Sequence, residues 1–161
     1  MLKIGFGPST NIIDYVTRER ETFQSRAFTA VDSLVLSQLS YLHLDGIVPD
    51  SIREIPVTIQ EIACCGIPDA LFRDVRDNGS NRRLFAALTQ SPRFCNVGLV
   101  FYLNRLDFKM EKQFSAVTCL LGDGTVYVVY RGTDSTFVGW KEDFNMAFLT
   151  PVPSQQRGPR I

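Results

Sequence analysis

One histidine, His43, and one tryptophan, Trp140, are all that this 161-residue chain has of those residue types. A single imidazole excludes the multi-histidine metal centres of zinc enzymes. The four cysteines fall short in the same way: Cys64 and Cys65 are adjacent, and Cys95 and Cys119 stand at no metal-ligand spacing from them. They are expected to be buried or half-buried free thiols of a reducing compartment. Excess charge of either sign is missing too, because 17 Lys and Arg balance 17 Asp and Glu. No overall field therefore draws the chain to nucleic acid or anionic lipid. The longest apolar run, residues 97–103, is far shorter than the roughly 20 residues that span a bilayer. Residues 1–10 contain Lys3, Gly5, Gly7 and Pro8 and no apolar core of a secretory signal, so the expected location is the cytoplasm. Finally, no Gly-x-Ser-x-Gly occurs anywhere. That removes the strained elbow that exposes the serine of an α/β-hydrolase.

What is present suits a folded core. Hydrophobic residues make up 45% and charged residues 21% of the chain, a balance that argues against disorder, and the length suits about one domain. Residues 1–92 read as a mainly helical section. Helices are expected over 11–19, capped by Thr10 or Asn11, and over 32–42, opened by Asp32 with Val31, Leu34, Val35, Leu39 and Leu42 on one stripe. Two more are expected over 57–65 and over 82–89, the latter capped by Ser80 or Asn81. Gly66-Ile67-Pro68 and Ser91-Pro92 stop them. Residues 93–135 then change texture, with strands expected over 96–108, 113–121 and 125–130 and Gly122-Asp123-Gly124 closing a hairpin. Residues 136–150 read as a helix, and residues 151–161 as an irregular tail.

The run Val126-Tyr127-Val128-Val129-Tyr130-Arg131-Gly132-Thr133-Asp134 is the densest signal. Its β-branched and aromatic residues suit a strand covered on both faces. Gly132 lets the chain turn sharply, and N–H groups from Thr133 onward, lying before a helix, favour an anionic guest. The local pattern fits equally an ordinary turn in which Asp134 or Ser135 caps the next helix, although Val138 and Gly139 complete no capping box.

Tyr130-Arg131-Gly132-Thr133, followed by Trp140 and Asp143, resembles the oxyanion-hole segment of lipase-like α/β-hydrolases of the fungal, class three type. Residues 11–16 (Asn-Ile-Ile-Asp-Tyr-Val), 31–41, 113–118, 122–125 and 139–146 extend the resemblance to a bacterial branch of that superfamily, a domain family of undefined substrate. It covers Asn11 to Gln156. The resemblance implies a truncated α/β-hydrolase: N-terminal helices, an antiparallel β-meander, and the first crossover helix of the central sheet, with the nucleophile strand absent. It assigns Thr133 as an oxyanion donor and Gly132 as the turn glycine, and implies a carboxylic-ester substrate, small or lipid. The nucleophile, acid and histidine of the family have no counterpart here, so the chain is expected to be inactive, a single incomplete domain over 1–161. Arg157-Gly158-Pro159-Arg160-Ile161 puts the two poorest helix formers side by side where the resembled fold has a helix. It reads as an interruption by frameshift or early stop. No cofactor and no metal are implied.

Competing readings of single residues are plainer. Arg131 is expected to pair with a carboxylate such as Asp134 or Asp143. The stripe Trp140, Phe144, Phe148 reads as core, and Glu142 and Asp143, adjacent on a helix, face different ways. His43 reads as a satisfied histidine, and Ser33, Ser37 and Ser40 lie in a helical run. Gly5-Phe6-Gly7-Pro8 lacks the strand and third glycine of a dinucleotide fingerprint. Two functions are carried forward: the N-terminal part of a lipase- or esterase-like serine hydrolase, or a non-catalytic remnant or protein-binding module that self-associates through an open sheet edge.

Overall fold

A computed structural model describes residues 11–51, 53–66, 69–73, 75–107 and 112–131. Among them lie four α-helices and a four-stranded antiparallel sheet, a mixed α/β fold. The expected helix over 136–150, the tail over 151–161, and the Gly5–Pro8 motif lie outside the described residues.

Helix α1, Ile12–Arg18, starts where the sequence suggests. Asn11 accepts from the Ile13 and Asp14 N–H groups at 2.9 and 3.0 Å, and Asp14 accepts in return from the Asn11 N–H. Helix α2, Ala30–Leu39, begins earlier than expected. Asp32 does not open it; Thr29 caps it, and Asp32 is the third helical residue, whose carboxylate reaches back to the Thr29 N–H at 2.8 Å. Its buried stripe is also shifted. Leu34 is 60% exposed, and Leu36 joins Val35 and Leu39 in the core instead.

The expected helix over 57–65 splits. Val57–Thr58 forms a short strand, β1, paired with Leu99 and Gly98, and Thr58 then caps α3, Ile59–Cys64, in a capping box with Glu61. A 3₁₀ turn follows at Asp69–Phe72. Helix α4, Asn78–Gln90, is longer than expected and is capped by Asp77, in a left-handed conformation, rather than by Ser80 or Asn81. Asn81 is instead buried, its amide donating to the Arg76 and Asp77 carbonyls and its oxygen accepting from Gln38.

The three long strands are close to expectation: β2, Gly98–Asp107; β3, Lys112–Leu120; and β4, Val126–Tyr130. The sheet order is β1-β2-β3-β4, every pair antiparallel. Residues 121–125 close the β3–β4 hairpin, with Gly124 at φ +87° and Asp123 accepting from the Thr125 N–H at 2.9 Å. Alternation puts Leu99, Val117, Cys119, Tyr127 and Val129 on the face toward the helices, and all but half-buried Tyr127 are buried. Val100, Ala116 and Thr118 on the opposite face are buried as well, so the middle of the sheet is covered on both sides. β4 is not, contrary to the reading of its apolar run: Val126 is 60% exposed, and Val128 and Tyr130 are exposed with it. Their β-branched and aromatic side chains need only a pleated surface, not two-sided burial.

Among the described residues, one buried ion pair ties α2 and the 19–29 segment to the stretch that follows α4. Arg93, just after α4, donates to Asp32 through Nε at 2.8 Å and Nη2 at 2.7 Å. Its remaining donors go to the carbonyls of Glu21, Thr22, Arg26 and Ala27, and its guanidinium stacks on the Phe23 ring at 4.0 Å. Asp32 accepts further from Tyr15 and Thr29, and neither charge is exposed. The segment 19–29, which has no helix or strand of its own, is thereby given a fixed path. Among the described residues no helix is long and apolar enough to cross a membrane.

Candidate functional site

Gly132 and Thr133 lie outside the described residues, as do Asp134, Trp140, Glu142, Asp143, Phe144 and Phe148. The chain is described up to Arg131, and the geometry that feeds the expected turn is therefore visible. The Arg131 N–H donates to the Ser115 carbonyl at 2.9 Å, continuing the β3–β4 ladder one residue past Tyr130. Its guanidinium donates to Asn104 Oδ1 at 3.0 Å, and the Asn104 amide donates to the Asp45 carboxylate at 3.2 Å. Asn104 and Ser115 are cross-strand partners. Asn104, Ser115 and Arg131 thus form a polar row across β2, β3 and β4 at one end of the sheet.

The row sits beside a distortion of β2. Pairing slips between Val100 and Leu103, and Phe101 takes φ +53°, a left-handed conformation uncommon for a bulky residue. The bulge turns the Tyr102 N–H onto the Pro49 carbonyl at 2.9 Å, binding the 45–54 loop to the sheet. It also leaves the Tyr102 side chain buried, 4% exposed, next to Ser115, 3% exposed. Among the described residues, neither hydroxyl has a hydrogen-bond partner within normal geometry. Burial pushes the Tyr102 phenol above its ordinary pKa, and the Asp45 charge adds to this. Arg131, the neighbouring Ser115 hydroxyl and the Leu44 backbone pull the other way. An open cleft of about 580 Å³ lies over this region between the 45–54 loop and the bulge.

Other candidates resolve into structure. His43 is half-buried, and its backbone N–H donates to the Leu71 carbonyl at 3.0 Å. Ser33 shares a hydrogen bond with the Tyr127 hydroxyl at 2.9 Å, and Ser40 donates to the Ser37 carbonyl at 2.7 Å. All three serines belong to α2 or its cap, with no strand-to-helix elbow. The cysteines are free, but Cys64 and Cys65 are exposed rather than buried, since they end a short surface helix. Cys95 is half-buried, and burial pushes the Cys119 thiol up to about 12. Among the described residues, no group of three His, Cys, Asp or Glu could hold a metal ion.

Sequence reading missed Tyr102, Ser115, Asn104 and Asp45. Tyr102 and Asn104 sat inside an apolar strand whose bulge has no marker such as glycine. Only Asn104 and Arg105 interrupting residues 97–106 hinted at a polar end.

These elements define a mixed α/β protein with a polar row across β2, β3 and the end of β4. A family model described as Mbeg1-like matches residues 88–160, which include β2, β3, β4 and the Tyr130–Thr133 segment. Comparison with curated proteins and with solved structures gave no match.

Proposed function

We propose that the chain supplies the oxyanion segment of a lipase- or esterase-like serine hydrolase of the α/β-hydrolase type, acting on carboxylic esters. The observation that supports this reading is the anchoring of Arg131. Its backbone is held by Ser115 and its side chain by Asn104, so the residue entering the Gly132–Thr133 turn leaves a fixed strand end. A preorganised turn is what an oxyanion donor needs, because reorientation during reaction would cost the stabilisation it provides. In such a mechanism a serine attacks the acyl carbonyl, a histidine takes its proton, and Thr133 holds the developing oxyanion. These 161 residues hold no Gly-x-Ser-x-Gly elbow, so they contribute one role of that set and do not turn over esters alone.

Purified chain is expected to match buffer with a short-chain p-nitrophenyl ester. Turnover that scales with protein and is abolished by a fluorophosphonate would overturn this. The oxyanion role is tested in a chain that also carries the serine elbow. Thr133→Val is expected to lower kcat about a hundredfold with KM little changed if the hydroxyl donates. If only the backbone N–H donates, Gly132→Val is the damaging change. Folded variants that both keep the parent kcat would remove the assignment.

A second reading, a non-catalytic module that binds protein or itself, draws on β4. Among the described strands it is outermost, with Val126, Val128 and Tyr130 exposed, an arrangement that invites strand pairing. Sedimentation at micromolar concentration distinguishes the two: a dimer lost on Val128→Lys favours the module, and a monomer disfavours it.

A further inference from the structure

Cysteine is among the residue types most often found fully buried, yet Cys64 and Cys65 both stand exposed at the end of α3. That helix packs through Ile59 and Ile62, which are buried, and leaves Gln60, Glu61, Cys64 and Cys65 exposed on its outer side. Neither thiol fills the core, and among the described residues neither has a hydrogen-bond or ion-pair partner. Packing, the usual reason for a structural cysteine, is absent at two adjacent positions. The remaining thiols differ: Cys119 belongs to the buried core, and Cys95 is half-buried.

Their spacing limits what two neighbouring thiols can do. A direct disulfide between them is strained, because consecutive Cα atoms lie about 3.8 Å apart and disulfides usually need about 4.4–6.8 Å. It would also disturb the last turn of α3, where the Cys65 N–H donates to the Glu61 carbonyl at 3.2 Å. One atom inserted between the sulfurs relieves that limit. The atom must be content with two thiolates, since no group of three His, Cys, Asp or Glu among the described residues could hold a metal ion. The four-donor set of zinc is therefore absent there. Hard cations want oxygen ligands, and Glu61, one turn back, already accepts from the Thr58 N–H and hydroxyl at 2.7 and 2.8 Å. Two thiolates without a third donor select a soft ion of low coordination number.

We propose that Cys64 and Cys65 form a two-sulfur site for monovalent copper, the ion bridging the two Sγ atoms at the surface end of α3. Binding releases both thiol protons to solvent: two S–H bonds break, two S–Cu bonds form, and copper keeps its oxidation state. The second sulfur closes within the same chain and so acts at a high effective concentration. The pair therefore holds the ion far more tightly than either thiol alone. Exposure leaves both sulfurs open to its entry. The assignment is independent of the esterase reading, since it uses neither Gly132 nor Thr133 and lies on α3 rather than at the end of β4.

Anaerobic titration of the reduced 161-residue chain with monovalent copper, supplied as its acetonitrile complex, tests it. Binding is followed by thiolate-to-copper absorption in the near ultraviolet and by competition with bicinchoninate. One ion per monomer is expected, with no displacement by equal zinc or calcium. Cys64→Ser and Cys65→Ser should each weaken binding about a hundredfold or more, the loss of the intramolecular second donor. Cys95→Ser should leave it unchanged. Both positions of the pair are exposed, so circular dichroism melts of their variants should match the parent. Should they fold poorly, phenylarsine oxide on the parent gives a second measurement. It condenses with two thiols, losing one water, and a single adduct by mass spectrometry should protect both Cys64 and Cys65 from iodoacetamide. No saturable copper binding, one ion shared between two chains, or unchanged affinity in a folded Cys64→Ser or Cys65→Ser overturns the proposal. So does a Cys95→Ser variant as weak as those two, or an arsenical that leaves the pair open to alkylation.

Discussion

Two buried polar centres among the described residues are built on opposite terms. Around Arg93 and Asp32 every donor finds an acceptor. The guanidinium reaches both carboxylate oxygens and four backbone carbonyls, and Tyr15 and Thr29 complete the carboxylate's shell. Around Tyr102 and Ser115 the match is looser: among the described residues neither buried hydroxyl makes a hydrogen bond of normal geometry, although they are neighbours, next to an open cleft and a strained Phe101. Completeness is what separates a structural clamp from a site. A fully satisfied network has no capacity left for a ligand and rigidifies what it joins. A partly satisfied one costs stability that the rest of the fold must offset, as functional sites commonly do.

The comparison is sharpest at Asp32. Asp32→Asn leaves the Arg93 guanidinium buried without its counter-charge and is expected to cost about 3–5 kcal/mol. That is a large part of the roughly 5–15 kcal/mol that holds a domain together. Urea melts followed by circular dichroism would show it. A loss under 1 kcal/mol would mean that water reaches the pair and that the clamp is not closed.

Acid should find the same weak point. Burial works to raise the Asp32 pKa, but the hydrogen bonds from Arg93, Thr29 and Tyr15 outweigh it and hold the carboxyl below its ordinary 3.8. Its contribution is therefore complete above the unfolded-state value and is lost as pH falls through the lower folded-state value. Parent stability should drop across that acidic window more steeply than that of Asp32→Asn. Parallel curves would detach the effect from Asp32.

Smaller effects compare two tyrosines directly. Tyr15→Phe removes one of several donors to Asp32 and should cost about 1 kcal/mol. Tyr102→Phe removes a hydroxyl that, among the described residues, makes no hydrogen bond of normal geometry, and should be neutral or stabilise by a few tenths of a kcal/mol. Ser115→Ala should behave like Tyr102→Phe. Equal losses at Tyr15 and Tyr102 in thermal melts would erase the distinction between the centres.

Local pattern determined much of this protein by itself. Asn11 capping α1, the Asp123-Gly124 turn and the β-branched run of β4 were legible because caps, turns and strand propensity act over a few residues. The tertiary structure decided the rest. Whether Val57–Thr58 begins a helix or pairs with β2 depends on Leu99 and Gly98, some 40 residues on. Asp32 sits in a local capping box with Thr29, but that its carboxylate also holds a buried charge depends on Arg93, 61 residues away. The Tyr102 bulge has no glycine to announce it, and it gains meaning only when Ser115, Asn104, Arg131 and Asp45 come together from separate elements. Charge pairing and burial act through space, so a linear reading finds the groups without finding their neighbours.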